Sequence, residues 1–359
     1  MSRRFRAGLV VGKFAPLHRG HELLVRRALA ECEEVILVSY QNPEIPGYPA
    51  EVRERWLAET FPEARVMVMT DERLRNLAPP GAEFTRVPAN DGPEIDDRRF
   101  CGFLCREVLG TTVDAVFTSE AYGDGFAAEL TRYFRERNPD HPAVAHVCVD
   151  PERVEIPISA TRLRADVHGL REWLPPAVYA SFVRRICLLG GESTGKTTLA
   201  ETLARALGTE WVPEYGREVW TEREGRLDFE DMERIGRVQA EMEDAAARRA
   251  NRFVICDTSP LTTYYFSHHF FGSASPALER MAEREYDLTV ICAPDFEFVQ
   301  DGIRHGGAFR HRQHDWYLRE LEARGIPHLL VTGTLEERAA RVLAALPPCD
   351  LPRSPGISR

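Results

Sequence analysis

Short apolar runs and longer amphipathic stretches alternate along most of the chain. In the first half the runs predict strands over 7–12, 35–40, 66–69, 113–118 and 145–149, with helices over 20–32, 51–60, 100–109 and 126–137 between them. In the second half strands are expected over 185–189, 253–257, 288–292 and 328–332, and helices over 196–207, 229–250, 315–324 and 335–346. Strands separated by helix-length segments cannot pair as hairpins, so the pattern predicts α/β domains with parallel sheets. The stretch LREWLPPAVYASFVRR interrupts the alternation with a Pro-Pro break and sets a boundary. It divides the chain into a domain over 1–168, a connector over 169–184, a second domain over 185–348 and a proline-rich, frayed tail over 349–359.

A length of 359 residues suits two domains that each bury a core. The net charge of -10 excludes the basic stripe of a general nucleic-acid binder. The eight cysteines form no CxxC pair, and several sit inside strand-like apolar runs, where cysteine is a small core residue. That usage suits a reducing compartment. No apolar run reaches the ~20 residues needed to span a bilayer. The basic start leads straight into a motif rather than a signal-peptide cleavage site, so a cytoplasmic enzyme without membrane insertion is expected.

The chemistry concentrates at two strand ends. After the first run stands GKFAPLHRGH, in which Gly12, Phe14, Pro16, His18, Gly20 and His21 fit GxFxPxHxGH. A helix start here offers unpaired N–H groups to an anion, and Gly20 lets backbone approach a phosphate. His18 and His21 are three residues apart, so both imidazoles can face one point and donate to phosphate oxygens as charge builds. Lys13 is an additional candidate phosphate contact. After the run Ile186–Leu189 stands GGESTGKTT, where Gly190, Gly195, Lys196 and Thr197 satisfy GxxxxGK[ST]. Backbone N–H groups across Gly190, Glu192, Ser193, Thr194, Gly195 and Thr198 would cradle ATP phosphates. Lys196 would reach the β- and γ-phosphates, and the Thr197 hydroxyl would bind Mg²⁺. The strand 253–257 ends in Asp257, which can help hold that Mg²⁺ or orient an acceptor hydroxyl as a base. His305, His311 and His314 have no carboxylate or cysteine set to complete a metal site.

The first motif resembles the HxGH nucleotidyltransferase superfamily, whose histidines contact ATP phosphates. That family's late ISxTxxR motif is matched by Ile158 to Arg164. Ser159 and Thr161 suit a helix start, Arg164 can clamp the β- and γ-phosphates, and Arg162 is a helper. The resemblance implies that an anionic phosphate acceptor attacks the α-phosphorus of ATP, so the protein supplies positioning and charge stabilisation rather than a nucleophile. The fold class expected from the resemblance and the glycine-rich loop is α/β, a Rossmann-like HxGH nucleotidyltransferase domain followed by a P-loop kinase domain.

The order of motifs is similar to the bifunctional nicotinamide-nucleotide adenylyltransferase/ribosylnicotinamide kinase family of the NadR type. The stretch Phe117 to Gly123 resembles its TSExYG segment, and Ser119, Glu120 and Tyr122 become nucleotide-pocket candidates. Trp56 is either a nicotinamide-stacking side chain or a core residue. Glu214 and Tyr215, in a stretch similar to EYxRE, are implied to bind ribose hydroxyls and a flat ring. The segment around DGIR resembles a kinase lid, with Arg304 and Arg310 as the arginines that meet the transferring phosphoryl group. The implied substrates are nicotinamide riboside, its mononucleotide (NMN), ATP at both domains, and NAD as product. Some family members begin with a DNA-binding domain, and the first strand here starts so early that no operator binding is expected. A fusion of phosphopantetheine adenylyltransferase with dephospho-coenzyme A kinase is the enzymatic rival. A nucleotide-sensing regulator with little turnover is the non-enzymatic one. The sequence leaves a homo-oligomer open.

Overall fold

Residues 3–120, 122–295 and 307–353 are described in this computed structural model. The chain forms two compact units, Met1–Tyr179 and Ala180–Arg359. Each carries a five-stranded, wholly parallel sheet.

The first unit runs β1 (Phe5–Val11), α1 (Arg19–Glu31), β2 (Cys32–Tyr40), α2 (Ala50–Thr60), β3 (Arg65–Met69), α3 (Asp71–Leu77), α4 (Glu94–Phe103), β4 (Ala115–Thr118), α5 (Gly123–Arg135), β5 (Ala145–Cys148), α6 (Ala160–Ala165) and α7 (Pro176–Ala180). Its strand order is β3-β2-β1-β4-β5. The central strands are apolar at nearly every position because helices cover both faces. Leu9, Val10, Ile36, Leu37 and Val116 are fully buried. The order reverses between β1 and β4, which opens a crevice at their carboxyl ends. Gly12 and Ser119, each just beyond one of those ends, lie at that crevice.

The second unit runs β6 (Arg184–Leu189), α8 (Lys196–Leu207), β7 (Glu210–Val212), α9 (Tyr215–Glu222), α10 (Phe229–Ala247), β8 (Phe253–Asp257), α11 (Pro260–Phe271), α12 (Pro276–Met281), β9 (Leu288–Cys292), α13 (Gly307–Ala323), β10 (His328–Val331) and α14 (Leu335–Ala344). The order β10-β9-β6-β8-β7 puts β6 at the centre, so its carboxyl end is again the switch point. Cys187, Cys256 and Cys292 are fully buried within these strands, as small apolar side chains.

Three departures from the sequence pattern have local causes. The helix expected over 100–109 starts earlier, at Glu94, and passes into a π-helical turn at Leu104–Val108. Its first turn carries Glu94, Asp96 and Asp97, which suit a helix N-terminus but hide it from an apolar pattern. The helix expected from 315 starts at Gly307. The frayed tail expected from 349 is not frayed at its start. Cys349 is buried in the core of the second unit, and Arg353 pairs with Asp287 at 3.0 Å.

Candidate active sites

At the first site the chain leaves β1, turns through Phe14 in the left-handed region (φ 48°) and enters α1 with His18 as its N-cap. The Gly20 N–H donates to His18 Nδ1 at 3.2 Å, and the His18 N–H donates to His21 Nδ1 at 3.4 Å. This is a reciprocal capping box built from two imidazoles rather than from serine and glutamate. Because each Nδ1 accepts, each neutral ring carries its proton on Nε2. The rings stack with centroids 3.7 Å apart, and Phe14, buried, meets the His21 ring edge-on at 4.9 Å. A Cβ at Gly20 would sit 3.1 Å from the His18 ring, so this glycine makes room for an imidazole.

Burial lowers the His18 pKa from its ordinary 6.5 to about 4, helped by the nearby Arg153 charge. Burial pushes His21 well below its ordinary value, with His18 and Arg153 adding to the effect. Both rings are therefore neutral donors at pH 7. The unfolded chain binds more protons once the pH falls below about 6.5, so the contribution of His18 to stability is complete above that value and is lost as the pH falls toward about 4, and that of His21 is lost in the same direction. In an NMR titration of the imidazole C2–H signals, both residues are expected to keep neutral-form shifts down to about pH 5. Midpoints near 6.5 would contradict this buried pair.

His18, His21, Ser119, Glu120 and Arg153 line one cavity of about 100 Å³. Arg153 lies 3.6 Å from Glu120 and was not singled out in the sequence, where 132 residues and no motif link it to His21. Ser159 caps α6 by accepting the Arg162 N–H at 3.3 Å. Arg164 donates to the Ala15 carbonyl at 2.6 Å and to Thr161 Oγ1 at 3.1 Å, which ties the ISxTxxR segment to the histidine turn. Arg162 donates instead to the Pro157 carbonyl at 2.9 Å. The Lys13 carbonyl accepts from Ser39 and Gln41 while its side chain is exposed, and the Gly12 N–H donates to the Val38 carbonyl. Tyr122 is exposed at the start of α5, outside the residues that line the cavity. Trp56 is fully buried with its ring 6.1 Å from Tyr48, so of its two readings the structure gives the core one. It sits on the face of α2 that also buries Val52 and Arg53.

At the second site the loop after β6 wraps from Gly190 (φ 145°) through Ser193 (φ 57°) to Gly195 (φ 78°), which begins α8. A Cβ on Gly190 would lie 2.7 Å from the Cys292 carbonyl, so only glycine fits. Lys196 Nζ donates to the Gly190 and Gly191 carbonyls at 3.1 Å each, folding back across the loop. Thr194 Oγ1 donates to the Gly191 carbonyl at 2.8 Å, while Thr198 is exposed on α8. The buried Ser193 hydroxyl has no partner among the described residues.

Thr197 Oγ1 donates to Asp257 Oδ2 at 2.5 Å, which leaves its lone pairs for a metal. Asp257 is 1% exposed and its Oδ1 has no partner among the described residues. Burial raises its pKa, opposed by Lys196. An orphaned carboxylate oxygen beside a hydroxyl that has spent its proton is the donor set a Mg²⁺ ion takes, and the residues fit that ion. Arg310 is buried beside the loop and donates to the Pro294 carbonyl at 2.9 Å and the Ser193 carbonyl at 3.4 Å. Arg304 and the expected DGIR lid fall outside the described residues. Arg338 of α14, missed in the sequence, is 3% exposed and donates to the carbonyls of Thr194, Ala293 and Gly333. It pins the loop to the ends of the neighbouring strands.

Lys196 and Thr258 open onto a cavity of about 120 Å³ whose far wall is apolar. Trp220 and Phe270 stack there at 5.9 Å, and Phe266 and Phe270 at 5.7 Å. Thr258 has φ 78°, a strained backbone for a β-branched residue and a frequent mark of a working site. Glu214 and Glu192 line the cavity, whereas Tyr215 packs into the cluster of Val219, Met232 and Ile235 and is not among its lining residues. The large aromatic rings among the lining residues are those of Trp220, Phe266 and Phe270. Trp220 lies five residues after Tyr215, and Phe266 and Phe270 are spaced i, i+4 on a helix whose apolar residues surround it.

A protein-family model described as an AAA domain (AAA_28) matches residues 185–338, the stretch that carries the glycine-rich loop. Over 322 residues the chain is 29% identical to the trifunctional NAD biosynthesis/regulator protein NadR of Escherichia coli (strain K12), covering 84% of this chain and 72% of that one. The protein of that name from Salmonella typhimurium (strain LT2) is likewise 29% identical, over 85% of this chain and 73% of its own length. A crystal structure of NadR in complex with NR superposes with a TM-score of 0.59 at 23% identity, covering 92% of this chain and 89% of that one. A NadR structure with NAD and AMP-PNP gives the same TM-score at 20% identity, covering 98% of each chain. The likeness is one of fold, and it extends over both units. Among the described residues no helix is long and apolar enough to cross a membrane.

Proposed function

We propose that this chain phosphorylates nicotinamide riboside with ATP in its second unit and, in its first, transfers the AMP moiety of another ATP to the resulting mononucleotide, yielding NAD and releasing pyrophosphate. The observation that carries the kinase half is the cavity that runs from Lys196 to the Trp220–Phe270 wall. A phosphate cradle that opens onto a flat apolar slot suits transfer to a nucleoside hydroxyl. The base lies against the aromatic wall and Glu214 accepts from ribose hydroxyls. Lys196 and the loop N–H groups hold the ATP phosphates. Thr197 and Asp257 would hold Mg²⁺, which when bound would neutralise charge on the ATP phosphates.

In the first unit the two neutral imidazoles present Nε2–H donors to the ATP phosphates. Arg164, with five N–H groups and two in use here, keeps donors for the same oxygens. Ser119 and Glu120 line the same cavity and belong to the mononucleotide side of the reaction. The mononucleotide phosphate is already an anion, so attack on the α-phosphorus needs orientation and charge stabilisation but no general base.

Purified protein given ATP, Mg²⁺ and nicotinamide riboside is expected to accumulate the mononucleotide and then NAD with release of pyrophosphate. Turnover of dephospho-coenzyme A or phosphopantetheine instead would point to the rival fusion, and no turnover of either set would point to a sensor.

A further inference from the structure

Gln239 of α10 lines the same cavity and is 2% exposed. Its Oε1 accepts the Tyr215 N–H at 2.9 Å, which fixes the orientation of the amide. The Nε2 is then buried with no partner among the described residues. Buried donors are nearly always satisfied, and an orphan in a cavity wall calls for a ligand acceptor. On α10 it shares a face with Met232 and Ile235, which line the apolar part of the cavity, so its unpartnered donor sits in the apolar wall.

We propose that the Gln239 side-chain amide is a specificity group that donates a hydrogen bond to a carbonyl oxygen on the base of the nucleoside. This rests on the reading of the second unit as a nicotinamide riboside kinase, whose substrate carries such a carbonyl on its pyridinium ring. Glu214 remains the acceptor for sugar hydroxyls. The two groups divide the recognition: a carboxylate accepts from the ribose and an amide donates to the base. A site that buries a donor rejects a ligand lacking the acceptor, because the donor stays unpaired.

The test compares nicotinamide riboside with ribosylpyridinium, which keeps the charge, ring and sugar but lacks the carboxamide. Gln239→Glu keeps the acceptor for the Tyr215 N–H and removes the donor; Gln239→Met removes both, and the thermal unfolding of each variant is followed alongside. Wild type is expected to favour nicotinamide riboside by about tenfold in kcat/KM, mostly through KM. In Gln239→Met the preference should fall to about one, whereas in Gln239→Glu the carboxylate can accept only from the carboxamide NH2, so a preference kept there and lost in Gln239→Met still places residue 239 against the carboxamide. A preference that survives both variants overturns the assignment of Gln239 while leaving the kinase reading intact. A loss of rate shared equally by the two nucleosides, with the ratio kept, also overturns it, because the amide then serves the ribose or the fold. Failure of wild type to phosphorylate either nucleoside overturns the kinase reading and this proposal together.

Discussion

Replacing Lys196 with alanine is expected to lower the phosphorylation of nicotinamide riboside by about 10³-fold or more while adenylyl transfer continues at the wild-type rate. Lys196 is positioned at the start of α8 by a glycine in the left-handed conformation, and its ammonium already spans the loop carbonyls where phosphates would lie. With ATP bound, those carbonyls give way to phosphate oxygens, and the charge acts most strongly as the transferring group loosens. The loss should therefore appear in kcat, together with a large loss of affinity for ATP. Adenylyl transfer is the internal control, since its proposed residues belong to the first unit. A parallel loss of both reactions would mean that one phosphate site serves the whole chain.

The complementary variant, His21→Ala, is expected to lower adenylyl transfer by about 10²- to 10³-fold with the kinase unaffected. Two effects must be separated. His21 Nδ1 accepts the His18 N–H, so its removal also opens the cap of α1, a loss of about 1 kcal/mol of helix stability. A cap defect alone shifts the unfolding midpoint of the first unit without a rate loss of that size. The rings are in contact, so His18→Ala and the double variant should be strongly non-additive. Wild-type adenylyl transfer in His21→Ala would remove the imidazole pair from the chemistry.

The sheets were legible because a fully buried parallel strand is a short apolar block. Phe253–Asp257 and Leu288–Cys292 stand where that pattern put them. The phosphate turns were legible too, because their geometry demands particular residues at fixed spacing: glycine where φ is 145° and 78°, and paired imidazoles to close a helix cap. What stayed hidden depends on contacts distant in sequence. Arg153 reaches the histidine pair, and Arg338 reaches the Thr194 carbonyl across 144 residues. The helix Pro260–Phe271 was invisible to periodicity because PLTTYYFSHHFF is apolar nearly all round, although a Ser N-cap followed by Pro marks its start. With that helix unread, the aromatic wall could not be assembled, and Tyr215 was the nearest available ring. β7, three residues long, is too short to stand out.

The central claim is that each unit has its own triphosphate site. Calorimetric titration of the whole chain with a non-hydrolysable ATP analogue and Mg²⁺ addresses it directly. Two molecules bound per chain are expected for wild type, one for Lys196→Ala and one for His21→Ala. A single molecule per wild-type chain at saturation, lost in either variant, would contradict the account.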